Sequence, residues 1–273
     1  MGKISRKEQD LQVELSKLSK KYGSNIVTKL SSITPQKENI TSTGIEQLDE
    51  VLGIGGIAKG SIVEISGPEM AGKTALALHI AKQIQKENPI LYIDADHSLS
   101  PSMINGSGIE PDNFYILKNV DTLEDVMEVC RYAAPAFGAI IIDTVSALPT
   151  RTLRNTKIRN ITGICDDCAQ KLSMTIPILV NCLSKSGCTL IMLNQLREKL
   201  GVLFGSPELV LGGRAVKYYS SLRLDVRRTE TLRRNWHGSK VIGQRIRIKV
   251  IKNTYGAPFR ESEVDIIYGE GMK

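Results

Sequence analysis

The sequence predicts an α/β fold in which a mostly parallel central sheet is covered by helices on both faces. From residue 61 onward, short and nearly continuous apolar runs alternate with stretches of helical periodicity. Apolar runs of this kind are typical of parallel strands that are buried on both faces. We predict strands at 62–66, 90–93, 139–142, 189–193 and 222–226.

Helices are predicted between these strands, for example over 122–132 and 167–184. A proline lies inside the second stretch, at position 177, and we expect it to kink or split that helix.

A further helix is predicted near the N-terminus, beginning at a capping box of Ser5 and Glu8 and ending at Gly23. Its apolar residues form one narrow stripe, which consists of Leu11, Leu15, Leu18 and Tyr22. The stripe fits a helix packed on its own domain and, equally well, an arm that docks on another protein.

The composition excludes several classes of protein. Hydrophobic residues make up 41% and charged residues 24% of the 273 residues, so the chain can form a packed core. No apolar run approaches the roughly 20 residues needed to cross a bilayer. The charged N-terminus has no apolar stretch behind it, which favours a cytoplasmic location. The five cysteines, an odd number, argue against a disulfide framework. The net charge of +7 permits a polyanionic partner.

The most informative motif is a phosphate-binding loop at residues 67–74, which read Gly-Pro-Glu-Met-Ala-Gly-Lys-Thr. Every fixed position of the pattern G-x-x-x-x-G-K-[ST] is filled, and the motif lies between a predicted strand and a predicted helix. Backbone N–H groups can hold phosphates, Lys73 can reach the β- and γ-phosphates of ATP, and Thr74 can bind Mg²⁺. The predicted nucleotide-binding residues are Gly67, Pro68, Glu69, Met70, Ala71, Gly72, Lys73, Thr74 and Ala75.

Polar residues collect at the carboxyl ends of the predicted strands, where parallel sheets bind their ligands. Asp94 and Asp96 follow one strand, Asp143 follows a second, and Asn194 and Gln195 follow a third. Asp143 fits the carboxylate that holds Mg²⁺ through water, together with Thr74. Asp96 and Gln195 are the candidates for orienting water near the γ-phosphate, and with Lys73 they form the predicted catalytic set.

Basic residues form two clusters that follow this rim. The first contains Arg151, Arg154, Lys157 and Arg159, and the second contains Arg197 and Lys199 before a glycine-rich loop that ends at Gly212 and Gly213. Basic loops next to a nucleotide site suit binding of a phosphate backbone. These eight residues are therefore candidates for a surface that binds a nucleic-acid backbone.

Two other basic stretches have simpler interpretations. Arg227, Arg228, Arg233 and Arg234 fit a solvated hairpin. Basic and apolar residues alternate over 245–250, which predicts a strand with one basic, solvent-exposed face.

These motifs, in this order, resemble the bacterial RecA recombinase family over nearly the whole chain. The motifs that carry the resemblance are STG at 42–44 with LD at 48–49, VEISGPE at 63–69, IDA at 93–95, IDTVSAL at 142–148, NQ at 194–195, GV at 201–202, FG at 204–205, GG at 212–213, LDVRR at 224–228, VIKN at 250–253, APF at 257–259 and YGEG at 268–271. Together they are far more specific than a phosphate loop alone.

The resemblance implies a RecA-type ATPase core with an N-terminal helical arm. It also implies a helical filament of identical protomers that uses ATP and Mg²⁺, binds single-stranded DNA, searches double-stranded DNA and exchanges strands. The loops 151–165 and 196–213 would face the DNA, and Gln195 would report the γ-phosphate to the second loop. Tyr218 and Lys252 would lie between protomers, and the arm would pack on a neighbour.

The chain departs from the family pattern at several positions. Asp96 replaces the catalytic Glu and is one methylene shorter, which predicts a slow DNA-dependent ATPase. Thr254 replaces a second inter-protomer lysine, and Met103 replaces the aromatic residue that covers the adenine. Gln170 and Pro177 replace arginines, and the chain ends at Lys273, where the family continues into a small C-terminal domain.

From these observations we divide the chain into an oligomerisation arm at 1–33, a linker and entry segment at 34–60, and a RecA-type core with its DNA-binding loops at 61–273. The predicted function is that of an ATP-dependent recombinase that pairs homologous DNA. The alternative is a weakly catalytic filament protein that binds ATP and DNA and regulates another recombinase. A hexameric motor of the same fold is disfavoured by the two-loop pattern.

Overall fold

The computed structural model describes residues 6–23, 26–29, 31, 39–156, 164–198, 208–210, 213–235 and 239–273. The chain divides into two compact units, Met1–Glu38 and Asn39–Lys273.

The first unit contains the N-terminal helix α1, Arg6–Tyr22. It ends as predicted at Gly23, which adopts a left-handed φ of 101° and donates its backbone N–H to the Ser19 carbonyl at 3.0 Å. Leu11, Leu18 and Tyr22 of the apolar stripe are exposed. The predicted cap at Ser5 lies outside the described residues.

The second unit is built on a sheet of ten strands. A separate small ladder pairs β1, Ile40–Thr41, with β2, Ile57–Ala58. The strands of the large sheet are β3 (Ile62–Gly67), β4 (Ile90–Asp94), β5 (Phe114–Leu117), β6 (Ala139–Asp143), β7 (Thr189–Glu198), β8 (Glu208–Val210), β9 (Leu222–Asn235), β10 (Ser239–Asn253), β11 (Glu261–Ile267) and β12 (Gly271–Met272).

The strand order is β12-β11-β10-β9-β3-β7-β6-β4-β5, with β8 paired to β7 off this path. The strands from β9 to β5 in this order are all parallel, and the ladders from β9 through β12 are antiparallel. The five strands predicted from the sequence are confirmed. The hairpin predicted from the arginine cluster after residue 226 is also confirmed, as β9 paired with β10.

Helices cover both faces of the sheet and complete two apolar cores. On one face, Leu76 and Ile80 pack with strand residues such as Ile65. On the other face, Val126 and Leu172 pack with the strand residues that point to that side. The helices of this unit are α2 (Glu46–Leu52), α3 (Lys73–Ile84), α4 (Pro101–Ser107), α5 (Leu123–Ala133), α6 (Arg151–Asn155), α7 (Ile164–Ser186) and α8 (Gly213–Tyr219), with short 3-10 turns at Pro111–Asn113 and Val145–Ala147.

Of the two outcomes expected at Pro177, a kink or a split, the split does not occur, because helix α7 is continuous through this residue. Pro177 lies on the exposed face of the helix, where water can satisfy the carbonyl of Ser173 that lacks its N–H partner. Buried residues on the opposite face, Leu172 before the proline and Leu179 after it, hold both halves against the sheet.

Within the described ranges, none of the helices combines the length and apolar character needed to cross a membrane.

Candidate nucleotide-binding site

The phosphate loop connects the buried strand β3 to helix α3 at the carboxyl edge of the parallel sheet. A side chain at Gly67 would place its Cβ 2.2 Å from the Val226 carbonyl oxygen, so only glycine fits there. Gly72 has a left-handed φ of 95° and caps the N-terminus of α3. The loop therefore presents the amino end of a twelve-residue helix, which favours a bound anion.

Lys73 folds back over this loop. Its Nζ donates to the carbonyl oxygens of Gly67 at 3.2 Å and Pro68 at 2.7 Å. Burial lowers the pKa of Lys73, and the carboxylates of Asp143 and Glu69 oppose that shift. The loop thus holds a cation on its own main chain, at the place where a phosphate group would compete for it.

Asp143, at the end of β6, lies beside the loop and is 3% exposed. Its Oδ2 accepts hydrogen bonds from the Thr74 hydroxyl at 2.7 Å and from the Tyr92 hydroxyl at 2.6 Å. Burial raises the pKa of Asp143 above its usual value, and these two hydrogen bonds offset only part of that shift. Burial and the neighbouring Asp143 raise the pKa of Tyr92, so Tyr92 remains a hydrogen-bond donor.

The hydroxyl of Thr74 and the carboxylate of Asp143 fit a magnesium ion. Mg²⁺ in phosphate sites uses one or two protein oxygens and completes its shell with water and substrate phosphates. Among the residues that the structure describes, no group of three or more His, Cys, Asp or Glu side chains could hold a metal ion. A site with one carboxylate and one hydroxyl fits Mg²⁺ that takes its other ligands from water and phosphates.

The other predicted rim residues lie nearby but differ in their contacts. The Gln195 amide Nε2 donates to Glu69 Oε1 of the loop at 2.6 Å, which links β7 to the phosphate site. Asp96 is exposed, and its Oδ1 accepts the backbone N–H of Ser98 at 3.1 Å. Asp94 Oδ1 accepts the same N–H at 3.1 Å. The turn after β4 thus positions Asp96 without burying it.

A cavity of about 410 Å³ continues from the loop along helix α3. Met103 of α4 lines this cavity. The cavity is also lined by Gln244 of β10, whose Nε2 donates to the Met70 carbonyl at 3.2 Å, by Ile266 of β11 and by Tyr268, which follows β11. Sequence reasoning did not assign this part of the lining to the site, although the motif at 268–271 was a signal for it.

The structure describes only part of the predicted DNA-binding set. Arg151 and Arg154 lie on the short helix α6, and both are ion-paired, Arg151 with Asp125 and Arg154 with Asp121. Arg197 lies on β7, and Gly213 begins α8 with a left-handed φ of 64°. The residues outside the described ranges are Lys157, Arg159, Lys199 and Gly212.

The two residues predicted to lie between protomers are neighbours. Lys252, on β10, donates its Nζ to the backbone carbonyls of Tyr218 at 2.6 Å and Lys217 at 3.1 Å, at the end of α8. Burial lowers the pKa of Lys252, and the nearby Arg223 lowers it further. The Tyr218 side chain is 75% exposed, so a partner could reach it.

The parallel sheet, the phosphate loop and the paired Thr74 and Asp143 define a P-loop nucleoside triphosphatase of the α/β class. The family model of the RecA N-terminal domain matches residues 9–273. The chain belongs to the RecA family.

Curated relatives named Protein RecA cover most of the chain. The relative from Clostridioides difficile strain 630 is 40% identical over 270 residues, which are 96% of this chain and 74% of the relative. The relative from Staphylococcus carnosus strain TM300 is 38% identical over 276 residues, covering 98% and 75% respectively. The relative from Mycobacteroides abscessus strain ATCC 19977 is 38% identical over 280 residues, covering 100% and 78%.

Proposed function

We propose that this chain is an ATP-dependent DNA recombinase that forms filaments on single-stranded DNA and promotes homologous pairing and strand exchange in recombination and repair. The observation that carries the proposal is the intact arrangement of Lys73, Thr74 and Asp143 on a scaffold that matches the family over residues 9–273. We also propose a cytoplasmic location.

The residues 67–75 hold the phosphates of ATP in this proposal. The loop N–H groups and the N-terminus of α3 face the anion, and Lys73 exchanges two carbonyl partners for phosphate oxygens. Magnesium bound by Thr74 and Asp143 would neutralise charge on the β- and γ-phosphates. Tyr92 keeps the Asp143 carboxylate oriented through its 2.6 Å hydrogen bond.

Asp96 is the proposed general base and Gln195 the proposed γ-phosphate sensor. The turn that ends at Ser98 fixes the Asp96 carboxylate at one oxygen, so its orientation is defined before substrate binds. Gln195 is held by Glu69 and can move to the γ-phosphate only by leaving that partner. Nucleotide binding would then change the position of the residues that follow Gln195, where the second DNA loop begins.

DNA binding is assigned to the two basic segments around 151–159 and 197–213. Arg151 and Arg154 would exchange their carboxylate partners for DNA phosphates. We propose that both single-stranded and double-stranded DNA bind on this side. The protomers would join through α1, Tyr218 and Lys252, in a heterologous contact that builds a helical filament rather than a closed pair.

One observation favours the weakly catalytic alternative. Asp96 is a methylene shorter than Glu, and one of its oxygens is already occupied by the Ser98 N–H. A base that cannot reach the water would leave ATP binding and filament assembly intact while slowing turnover.

The deciding experiment measures ATP turnover with and without single-stranded DNA, together with strand exchange between homologous substrates. The proposal predicts DNA-stimulated turnover and exchanged product. ATP-dependent DNA binding without exchange would support the regulatory filament protein instead, and a chain that binds neither ATP nor DNA would overturn both.

A further inference from the structure

A buried polar cluster joins three neighbouring strands of the sheet. Glu64 of β3 is fully buried, and its Oε1 accepts a hydrogen bond from Asn194 Nδ2 of β7 at 2.8 Å. Its other oxygen, Oε2, forms an ion pair with Arg223 of β9, which lies opposite Glu64 in the ladder. The cluster lies on the sheet face that α5, α7 and α8 cover.

Stability alone gives little reason for this cluster. Replacing a buried ion pair by well-packed apolar residues is often neutral or stabilising. The Asn194 Oδ1 is also buried, and within the described part of the chain it accepts no hydrogen bond. A network with an unsatisfied member costs free energy rather than contributing it.

The cluster begins directly beside the phosphate site. Asn194 and Gln195 are consecutive in β7, so their side chains lie on opposite faces of the sheet. Gln195 contacts Glu69 of the phosphate loop, whereas Asn194 contacts Glu64. A movement of the Gln195 backbone therefore pulls on Asn194 and, through it, on Glu64.

The other end of the cluster lies beside Lys252. Arg223 lies opposite Lys252 in the antiparallel ladder between β9 and β10. Lys252 in turn donates to two backbone carbonyls near the end of α8, including that of Tyr218. Glu64 thus fixes the position of the cation that faces Lys252.

We propose that Glu64 is a positioning residue that couples Gln195 to Lys252 and α8, because it holds Asn194 and Arg223 at the same time. This inference rests on the proposed function, in which Gln195 senses the γ-phosphate and Lys252 acts between protomers. When Glu64 is present, the two ends of the cluster move together. Without it, Asn194 and Arg223 lose their common partner, and the two sites respond separately.

The test compares variants that keep the fold but break the coupling. Glu64→Gln/Arg223→Gln removes both charges, so neither remains buried and unpaired. Asn194→Ala leaves the ion pair intact and cuts only the contact to β7. The control is Lys59→Gln/Glu87→Gln, which removes a more exposed ion pair of 2.6 Å between the segments that follow β2 and α3.

Three quantities are measured for each variant: the thermal unfolding midpoint, the affinity of the dilute protein for a fluorescent ATP analogue, and the affinity for single-stranded DNA with and without ATP. We expect both cluster variants to bind the analogue within about twofold of the parent, and the ATP-induced gain in DNA affinity to fall by about fivefold or more. The control should keep the gain.

A double variant that is folded and keeps the full gain would overturn the coupling role. The coupling role would also be overturned if analogue affinity and the ATP-induced gain in DNA affinity fell by equal factors, in step with a lower unfolding midpoint. Such a result would leave Glu64 with a structural role. A parent protein without any ATP-induced gain would instead contradict the proposed function itself, so the two failures are distinguishable.

Discussion

Two partly buried lysines, Lys73 and Lys252, have the same local arrangement but different electrostatic surroundings. Each donates to two backbone carbonyls, and burial lowers the pKa of both. The carboxylates of Asp143 and Glu69 act on Lys73, whereas the charge that acts on Lys252 is the cation of Arg223.

This difference supports the proposal that Lys73 and Lys252 act on the phosphates of different protomers. Lys73 lies in its own phosphate loop, beside groups that can hold a metal ion, so it is equipped for the nucleotide of its own chain. Lys252 lies at the end of α8, beside the exposed Tyr218. In the proposed filament, this lysine and the neighbouring cation of Arg223 would bind an anion supplied by another protomer.

The largest expected effect is that of Lys73→Ala. The variant loses the main cation of the phosphate site, so ATP turnover should fall by about 100-fold or more. Turnover is measured in the presence of single-stranded DNA. A variant that hydrolyses ATP at the parent rate would show that the phosphate site lies elsewhere.

Lys252→Ala should have a narrower effect. ATP binding by dilute protein should stay near the parent value, while the ATP-induced gain in DNA affinity, which is about 5- to 150-fold for typical couplings, should be nearly lost. Thr254 cannot supply a second charge. Lys86→Ala is the matched control, since it removes one exposed charge at the end of α3. Full ATP-stimulated DNA binding in Lys252→Ala would remove Lys252 from the interface.

The sequence alone predicted the parts of this comparison that depend on local spacing. The phosphate loop has fixed positions, and the parallel strands are short apolar runs, so both could be predicted from one segment at a time. The hydroxyl of Tyr92 on Asp143 and the ion pair of Arg223 with Glu64 could not, since the paired residues are 51 and 159 positions apart. Such contacts depend on strand order and on which face each side chain occupies.

Two further features, at Pro177 and at the arginines of α6, depend on tertiary surroundings that cannot be predicted from sequence periodicity. Pro177 is tolerated because its face of α7 is exposed, and exposure cannot be read from the proline itself. Arg151 and Arg154 fit a DNA surface by charge, but each is paired with a carboxylate from another segment. The partner of Arg151 is Asp125 on helix α5, and the partner of Arg154 is Asp121, just before that helix.

A smaller effect is expected at Asp96, the proposed general base. Asp96→Glu restores one methylene and should raise the DNA-stimulated turnover by roughly tenfold, because a base must reach hydrogen-bond distance of the water. The measurement is steady-state ATP hydrolysis at saturating DNA. Lower turnover with unchanged DNA binding would show that the surroundings of residue 96 have adapted to aspartate.

The smallest effect concerns the salt dependence of DNA binding. Each neutralised phosphate of a single strand contributes about −0.7 to the slope of log affinity against log salt, so Arg197→Ala and Lys199→Ala should each flatten the slope by about that amount. Arg151→Ala should change it less, because Arg151 must first leave Asp125. Titrations at several salt concentrations give the slopes, and unchanged slopes for both second-loop variants would remove that loop from the DNA surface.

The central claim is that Lys73 acts on the ATP of its own chain and Lys252 on the ATP of a neighbour. An equal mixture of Lys73→Ala and Lys252→Ala proteins tests it most directly, by DNA-stimulated ATP turnover. A filament of either variant alone lacks one of the two lysines at every interface between protomers. In random co-assembly about one interface in four joins an intact phosphate site to an intact Lys252, so turnover should recover to about a quarter of the parent rate. No recovery on mixing, with both proteins present in the same filaments, would contradict the claim and place both lysines at one site.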